Sequence, residues 1–105
     1  MSKYSDPVDP ETAADIFGRR PGNYIVYFTD GSAYSGRQAR STNRIRAALN
    51  KWEAVAAVQF MTDWTDNECI RADREEGTIL GLLDAGIPLR NRVMAAIPRS
   101  CGVCR

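Results

Sequence analysis

The stretch from Gly22 to Arg44, GNYIVYFTDGSAYSGRQARSTNR, restricts the possible folds of this chain more than any other. Tyr24, Ile25, Val26 and Tyr27 form an aromatic and β-branched run, which favours a strand. Asp30-Gly31 then marks a hairpin turn, because glycine adopts the positive φ that tight hairpin turns require. A second strand is predicted from Ser32 to Gly36, followed by a loop carrying Arg37 and Arg40. Ser41 or Thr42 is placed to cap a helix from about Thr42 to Trp52 that carries Arg44. In the first strand Tyr24, Val26 and Phe28 share one face, and Ile25 and Tyr27 share the other. Both faces are apolar, so the strand is expected to be covered on both sides.

The flanking sequence supplies the elements that would cover it. Asp9-Pro10-Glu11 has the form of a helix start, with Asp9 as cap, and the helix should run to about Phe17 and stop at Gly18. Residues 1–8 are polar and expected to fray. In the helix after the hairpin, Ile45, Ala48, Leu49 and Trp52 make an apolar stripe. AVAAVQFM, about Val55 to Met61, reads as a third strand. A last long helix, capped by Thr65 or Asp66, ends at Asp84-Ala85-Gly86 with Pro88 just beyond. The fold class is therefore α+β, a small three-stranded antiparallel sheet flanked by helices in the order α-β-β-α-β-α. The 105 residues suit one domain, with a tail and short helix over 1–20, the main domain over 21–97 and a cysteine-containing tail over 98–105.

Composition narrows the chemistry. The chain has no histidine, which removes His-based triads and His-metal sites, so a general base must be a carboxylate, Tyr, Lys, Cys or metal-bound water. No apolar run approaches the ~20 residues of a spanning helix, and the N-terminus lacks signal-peptide order, so a cytoplasmic protein is expected. The net charge of +1 says little, but from Gly31 to Trp52 there are Arg37, Arg40, Arg44, Arg46 and Lys51 and no acidic residue. Those charges form either a solvated helix face or a phosphate-facing patch. Cys101 and Cys104 make a single C-x-x-C, half of a zinc site, and with Cys69 give an odd count for which no structural disulfide is expected.

The long helix holds the most informative acid. Cys69, Ala72, Ile79, Leu80 and Leu83 outline its apolar stripe, and on a wheel of ~100° per residue Glu76 falls inside it while Glu75 projects away. A carboxylate on a buried face costs several kcal/mol unless it is paired, protonated or bound to a metal. Glu76 therefore needs either an arginine or a cation.

Gly22-Asn23-Tyr24, Tyr34-Ser35-Gly36 and Arg44, eight residues past Gly36, together resemble the signature of the GIY-YIG nuclease family. Pro21 before the first motif, Glu76 on a later helix and Asn91 in IPLRN extend the likeness to most of the chain. Asn23 and Ser35 depart from it, standing where the family carries aliphatic residues that place the strands. The resemblance implies a metal-dependent endonuclease that hydrolyses DNA phosphodiester bonds at a single-metal site. On it, Glu76 holds one Mg²⁺ or Mn²⁺, Arg44 clamps the phosphate and Tyr24 accepts a proton from water or orients it. Tyr34 completes the hydrogen-bond set, Asn91 braces the site, and Arg37, Arg40 and Arg46 add phosphate affinity. DNA would be the partner, with no membrane, and a homodimer or protein partner would supply specificity. The alternatives are a catalytically inactive module of the same fold that binds a nucleic acid or protein, and an unrelated small protein with Tyr24 and Tyr34 simply in its core.

Overall fold

The structure is a computed structural model that describes residues 4–39, 43–64 and 67–90. The elements are α1 (Pro10–Phe17), β1 (Gly22–Phe28), β2 (Ala33–Gln38), α2 (Arg44–Lys51), β3 (Val55–Thr62) and α3 (Glu68–Asp84), the α-β-β-α-β-α order expected. The strands form one antiparallel sheet in the order β2-β1-β3. Both motif strands are thus neighbours, with Tyr24 opposite Gly36 and Val26 opposite Tyr34, and β2 is an edge.

Local chemistry sets the boundaries. Asp9 caps α1 through its carboxylate, which accepts from Thr12 N at 3.3 Å, and Gly18 closes the helix by donating to Ala14 O at 3.1 Å. The hairpin turns at Asp30-Gly31, with Gly31 at φ 88°. The two later helices begin one or two residues further along the chain than the sequence suggests. Asn43, not Ser41 or Thr42, caps α2 by accepting from Arg46 N at 3.0 Å, and Asn67, not Thr65 or Asp66, caps α3 by accepting from Cys69 N at 2.9 Å. Ser41, Thr42, Thr65 and Asp66 lie outside the described residues, as do Arg40, Asn91, Cys101 and Cys104. Cys69 is disulfide-bonded, contrary to the expectation of no structural disulfide.

The sheet is covered on both faces. On one side α1 and α2 bury Ala13, Ala14, Phe17, Ile45 and Ala48 against Tyr24, Val26, Phe28, Val58 and Phe60. Phe17 stacks on Phe60 at 4.4 Å between ring centroids. On the other side Ile25 and Ala33 meet Leu82 of α3, with Tyr4, Tyr27, Ile87 and Leu89 packed around them. The N-terminal segment is not frayed from residue 4 on. Ser5 N donates to Phe60 O and Val8 exchanges both backbone bonds with Val58, each at 2.9 Å, so the segment adds to the outer edge of β3. Tyr4 reaches across to α3, its hydroxyl 2.7 Å from Thr78 Oγ1.

Among the described residues no helix is long and apolar enough to cross a membrane.

Candidate functional site

A cleft of about 350 Å³ opens at the β2 edge, lined by Tyr24, Tyr34, Gly36, Arg37, Ala39, Arg44 and Glu75. It wraps around the sheet. Tyr24 and Arg44 enter from the face that carries α2, whereas Glu75 belongs to α3 on the opposite face. Gly36 makes the passage possible. A Cβ there would lie 2.5 Å from both Cζ and Oη of Tyr24, so the phenol crosses the edge strand in the space a side chain would occupy.

Arg44 is aimed by Gln38, a residue to which the sequence gives no role. Gln38 is 1% exposed and its amide is used at both ends. Nε2 donates to Gly18 O and Arg20 O at 3.0 and 2.6 Å, and Oε1 accepts from the Arg44 backbone N at 3.0 Å. The end of β2, the turn after α1 and the start of α2 are thereby tied at one point. Buried amides that are satisfied at both ends hold such junctions firmly.

The acid in the cleft is Glu75, not Glu76. The buried row of α3 is Ala72, Glu75, Ile79 and Leu82, with Arg71 beside it, whereas Leu80 and Leu83 are 53% and 51% exposed. The apolar stripe read from the sequence leaned on those two leucines and omitted Leu82, which moved its centre by one residue, about 100°. The 3-4-3 spacing of Ala72, Glu75, Ile79 and Leu82 was the signal available. Glu76 is half-buried and does not line the cleft. Glu75 accepts a hydrogen bond from Arg37 Nη1, an ion pair whose side chains are 8% and 21% exposed.

Asn23 and Ser35, the two departures in the motifs, are both fully buried on the side facing α3. With its amide oriented to satisfy both ends, Asn23 accepts from Glu75 N at 3.0 Å and donates to Gly22 O at 3.3 Å. A polar side chain thus grips the helix at the residue that supplies the cleft carboxylate.

The remaining cations separate clearly. Arg46, two residues past Arg44, points to α1, where it pairs with Glu11 and Asp15 at 2.9 Å each, and it does not line the cleft. On a helix, two residues is more than half a turn, so the two arginines cannot serve the same face. Arg44 is different. Among the described residues no hydrogen bond or ion pair engages its guanidinium, nor the hydroxyls of Tyr24 and Tyr34. The two phenol rings lie 6.4 Å apart, tilted by 43°.

Electrostatics fix the phenols as neutral donors. Burial pushes the Tyr24 hydroxyl well above its ordinary value near 10, Tyr34 and Glu75 add to the rise, and Arg44 alone opposes it. Tyr34 is raised in the same way, by burial first and then by Glu75. At Tyr24, desolvation outweighs the opposing charge of the single arginine beside it.

The donor set is all oxygen: one buried carboxylate and two phenols. Among the described residues there is no cluster of three or more His, Cys, Asp or Glu side chains. One carboxylate suits a hard cation such as Mg²⁺ or Mn²⁺ that keeps most of its waters, and does not suit zinc.

Fold and cleft together define a small α+β protein with an anion-ready, oxygen-lined site at the edge of a three-stranded sheet. Comparison with protein-family models, curated proteins and solved structures returns no match. The likeness to GIY-YIG nucleases therefore rests on this chain's own residues.

Proposed function

We propose that the cleft takes a DNA phosphate and that the protein is a metal-dependent endonuclease acting in the cytoplasm. The supporting observation is that Tyr24, Tyr34 and Arg44 converge with a buried carboxylate in one cleft while their own donors are left unused by the described residues. Arg44 would hold the phosphate through its planar fork of donors. Tyr34 would donate to a second phosphate oxygen. Tyr24, kept protonated, would orient the attacking water instead of deprotonating it. The water forms a new P–O bond as the bond to the sugar oxygen breaks; its proton leaves to solvent, and the departing oxygen takes one up. Glu75 replaces Glu76 as the residue that would hold Mg²⁺ or Mn²⁺. When bound, such an ion supplies charge neutralisation for the phosphate and the leaving oxygen. Sequence or shape specificity would come from a second copy or a protein partner.

The test is nicking of supercoiled plasmid and branched oligonucleotides by the purified chain. Cutting should require Mg²⁺ or Mn²⁺. It should fall about a hundredfold or more in Arg44→Ala and Glu75→Gln, as loss of a key charge-stabilising group does, and stay near wild type in Glu76→Gln. An inert protein on every substrate, or full activity in Glu75→Gln, rejects the proposal.

The Arg37–Glu75 ion pair favours a second reading, an inactive module that binds nucleic acid with its carboxylate already neutralised. Metal titration separates the two: in that case DNA binds, but Mn²⁺ does not associate with Glu75.

A further inference from the structure

The cleft does not end at Tyr34. A second chamber of about 150 Å³ shares Tyr24, Tyr34 and Arg44 with it and runs on along α2 to Ala47, Ala48, Lys51 and Trp52. A cavity of this size accepts a single ring such as benzene. Its wall is aromatic: Tyr34 and Trp52 lie 5.9 Å apart and tilted by 44°, and Trp52 is backed in the core by Phe28, edge-on at 5.6 Å. Its floor is small, because Ala47 and Ala48 put only methyl groups toward it. A cation lines it too, Lys51 Nζ lying over the Trp52 ring 5.0 Å from its centre. Among the described residues no carboxylate pairs with Lys51. Arg44 and Lys51 are two helical turns apart on one face, about 10 Å along α2.

We infer that this chamber receives the base of a nucleotide adjoining the phosphate at Arg44, so that the substrate is a nucleic-acid strand carrying at least one unstacked base. The inference rests on the phosphate-binding reading above and specifies its substrate class. The chemistry matches the occupant. An aromatic wall stacks any base, and two unpaired cations along one helix face follow a phosphate backbone. A base still stacked and paired inside a duplex cannot enter a pocket of this kind.

The experiment compares two fluorescent oligomers of equal length in EDTA, where nothing is cut: a single-stranded oligonucleotide and its fully abasic counterpart. Stacking one base is expected to favour the base-bearing strand roughly fivefold to a hundredfold. In a Trp64→Phe background, which leaves Trp52 as the single tryptophan, the base-bearing strand should quench fluorescence and the abasic strand should not. Ala47→Phe fills the chamber at an exposed position and spares the core packing that Trp52→Ala would disturb. It should lower affinity for the base-bearing strand to the abasic level and leave the abasic strand unaffected. Equal binding of the two strands by the unaltered protein, or preference for intact duplex, overturns the inference. If the chain nicks plasmid yet treats the two strands alike, the chamber fails and the nuclease reading stands. If the strands are discriminated but no bond is cut, the nuclease reading fails and the base chamber stands. Quenching by a methionine- or phenylalanine-rich peptide free of tryptophan, and by no nucleic acid, would assign the chamber to a protein side chain and overturn the inference.

Discussion

Substituting Gly36 with alanine should destabilise the protein, and the reason can be isolated. Gly36 sits in the middle of β2 without a positive φ, so its backbone suits alanine. On backbone grounds alone, Gly36→Ala should stabilise by about 0.4–1 kcal/mol through the unfolded chain. The added Cβ, however, would lie 2.5 Å from Tyr24 Cζ and Oη and 3.0 Å from Cε2. The ring is 4% exposed and packed in the core on the α2 side, so it cannot simply swing aside. Overpacking of this kind costs about 1–3 kcal/mol, which exceeds the backbone gain. A net loss of about 1–2 kcal/mol corresponds to a Tm lowered by roughly 5–15 °C in a domain of this size. Tyr24→Phe should not rescue it, because Cζ remains in place. Tyr24→Leu removes the obstructing atoms, and in that background Gly36→Ala should be neutral or stabilising. The assay is urea and thermal unfolding of the four proteins in the cycle. A cost for Gly36→Ala below 0.5 kcal/mol in the wild type, or an equal cost with Leu at position 24, would refute the claim that Gly36 exists to let the Tyr24 phenol through.

Three further outcomes are expected. Asp30 is held below its ordinary value of 3.8 chiefly by hydrogen bonds from Ser32, with Arg90 contributing less. A lowered carboxylate stabilises above its unfolded pKa and loses that contribution as pH falls through the folded one, so Asp30→Asn should flatten the acid limb of stability below about pH 4. Burial raises Tyr4 to about 12, against a weaker opposing bond from Thr78. A raised phenol favours the folded state below pH 10 and loses that contribution between 10 and 12, so Tyr4→Phe should reduce the alkaline decline seen by circular dichroism. Finally, Arg37 competes for the Glu75 carboxylate, so on the proposed function Arg37→Ala should tighten Mn²⁺ binding measured by calorimetry while Glu75→Gln abolishes it; unchanged affinity in Arg37→Ala removes the competition argument.

The sequence disclosed what is decided locally. The ends of α1 follow from Asp9-Pro10 and Gly18, and the hairpin follows from Asp30-Gly31 between two β-prone runs. It disclosed less wherever a neighbour from elsewhere in the chain decides. Whether Glu75 or Glu76 faces inward depends on which leucines α3 buries, and Leu80 and Leu82 are equally apolar in sequence while differing in exposure. Asn23, Ser35 and Gln38 look like polar interruptions, and only their distant partners reveal them as buried. For Asn23 and Gln38 those partners are the backbone at Glu75 and at Arg44. The Asn23 amide shows how a polar residue is accommodated at that core position. An aliphatic side chain at position 23 would fill the same space but could not bond to the helix at Glu75. The protonation of Tyr24 belongs to the same class. A motif names a phenol, but the surroundings set its charge. Here burial raises the phenol more than the Arg44 charge lowers it. On the proposed function, the cleft would therefore present the two phenols as hydrogen-bond donors to an anion.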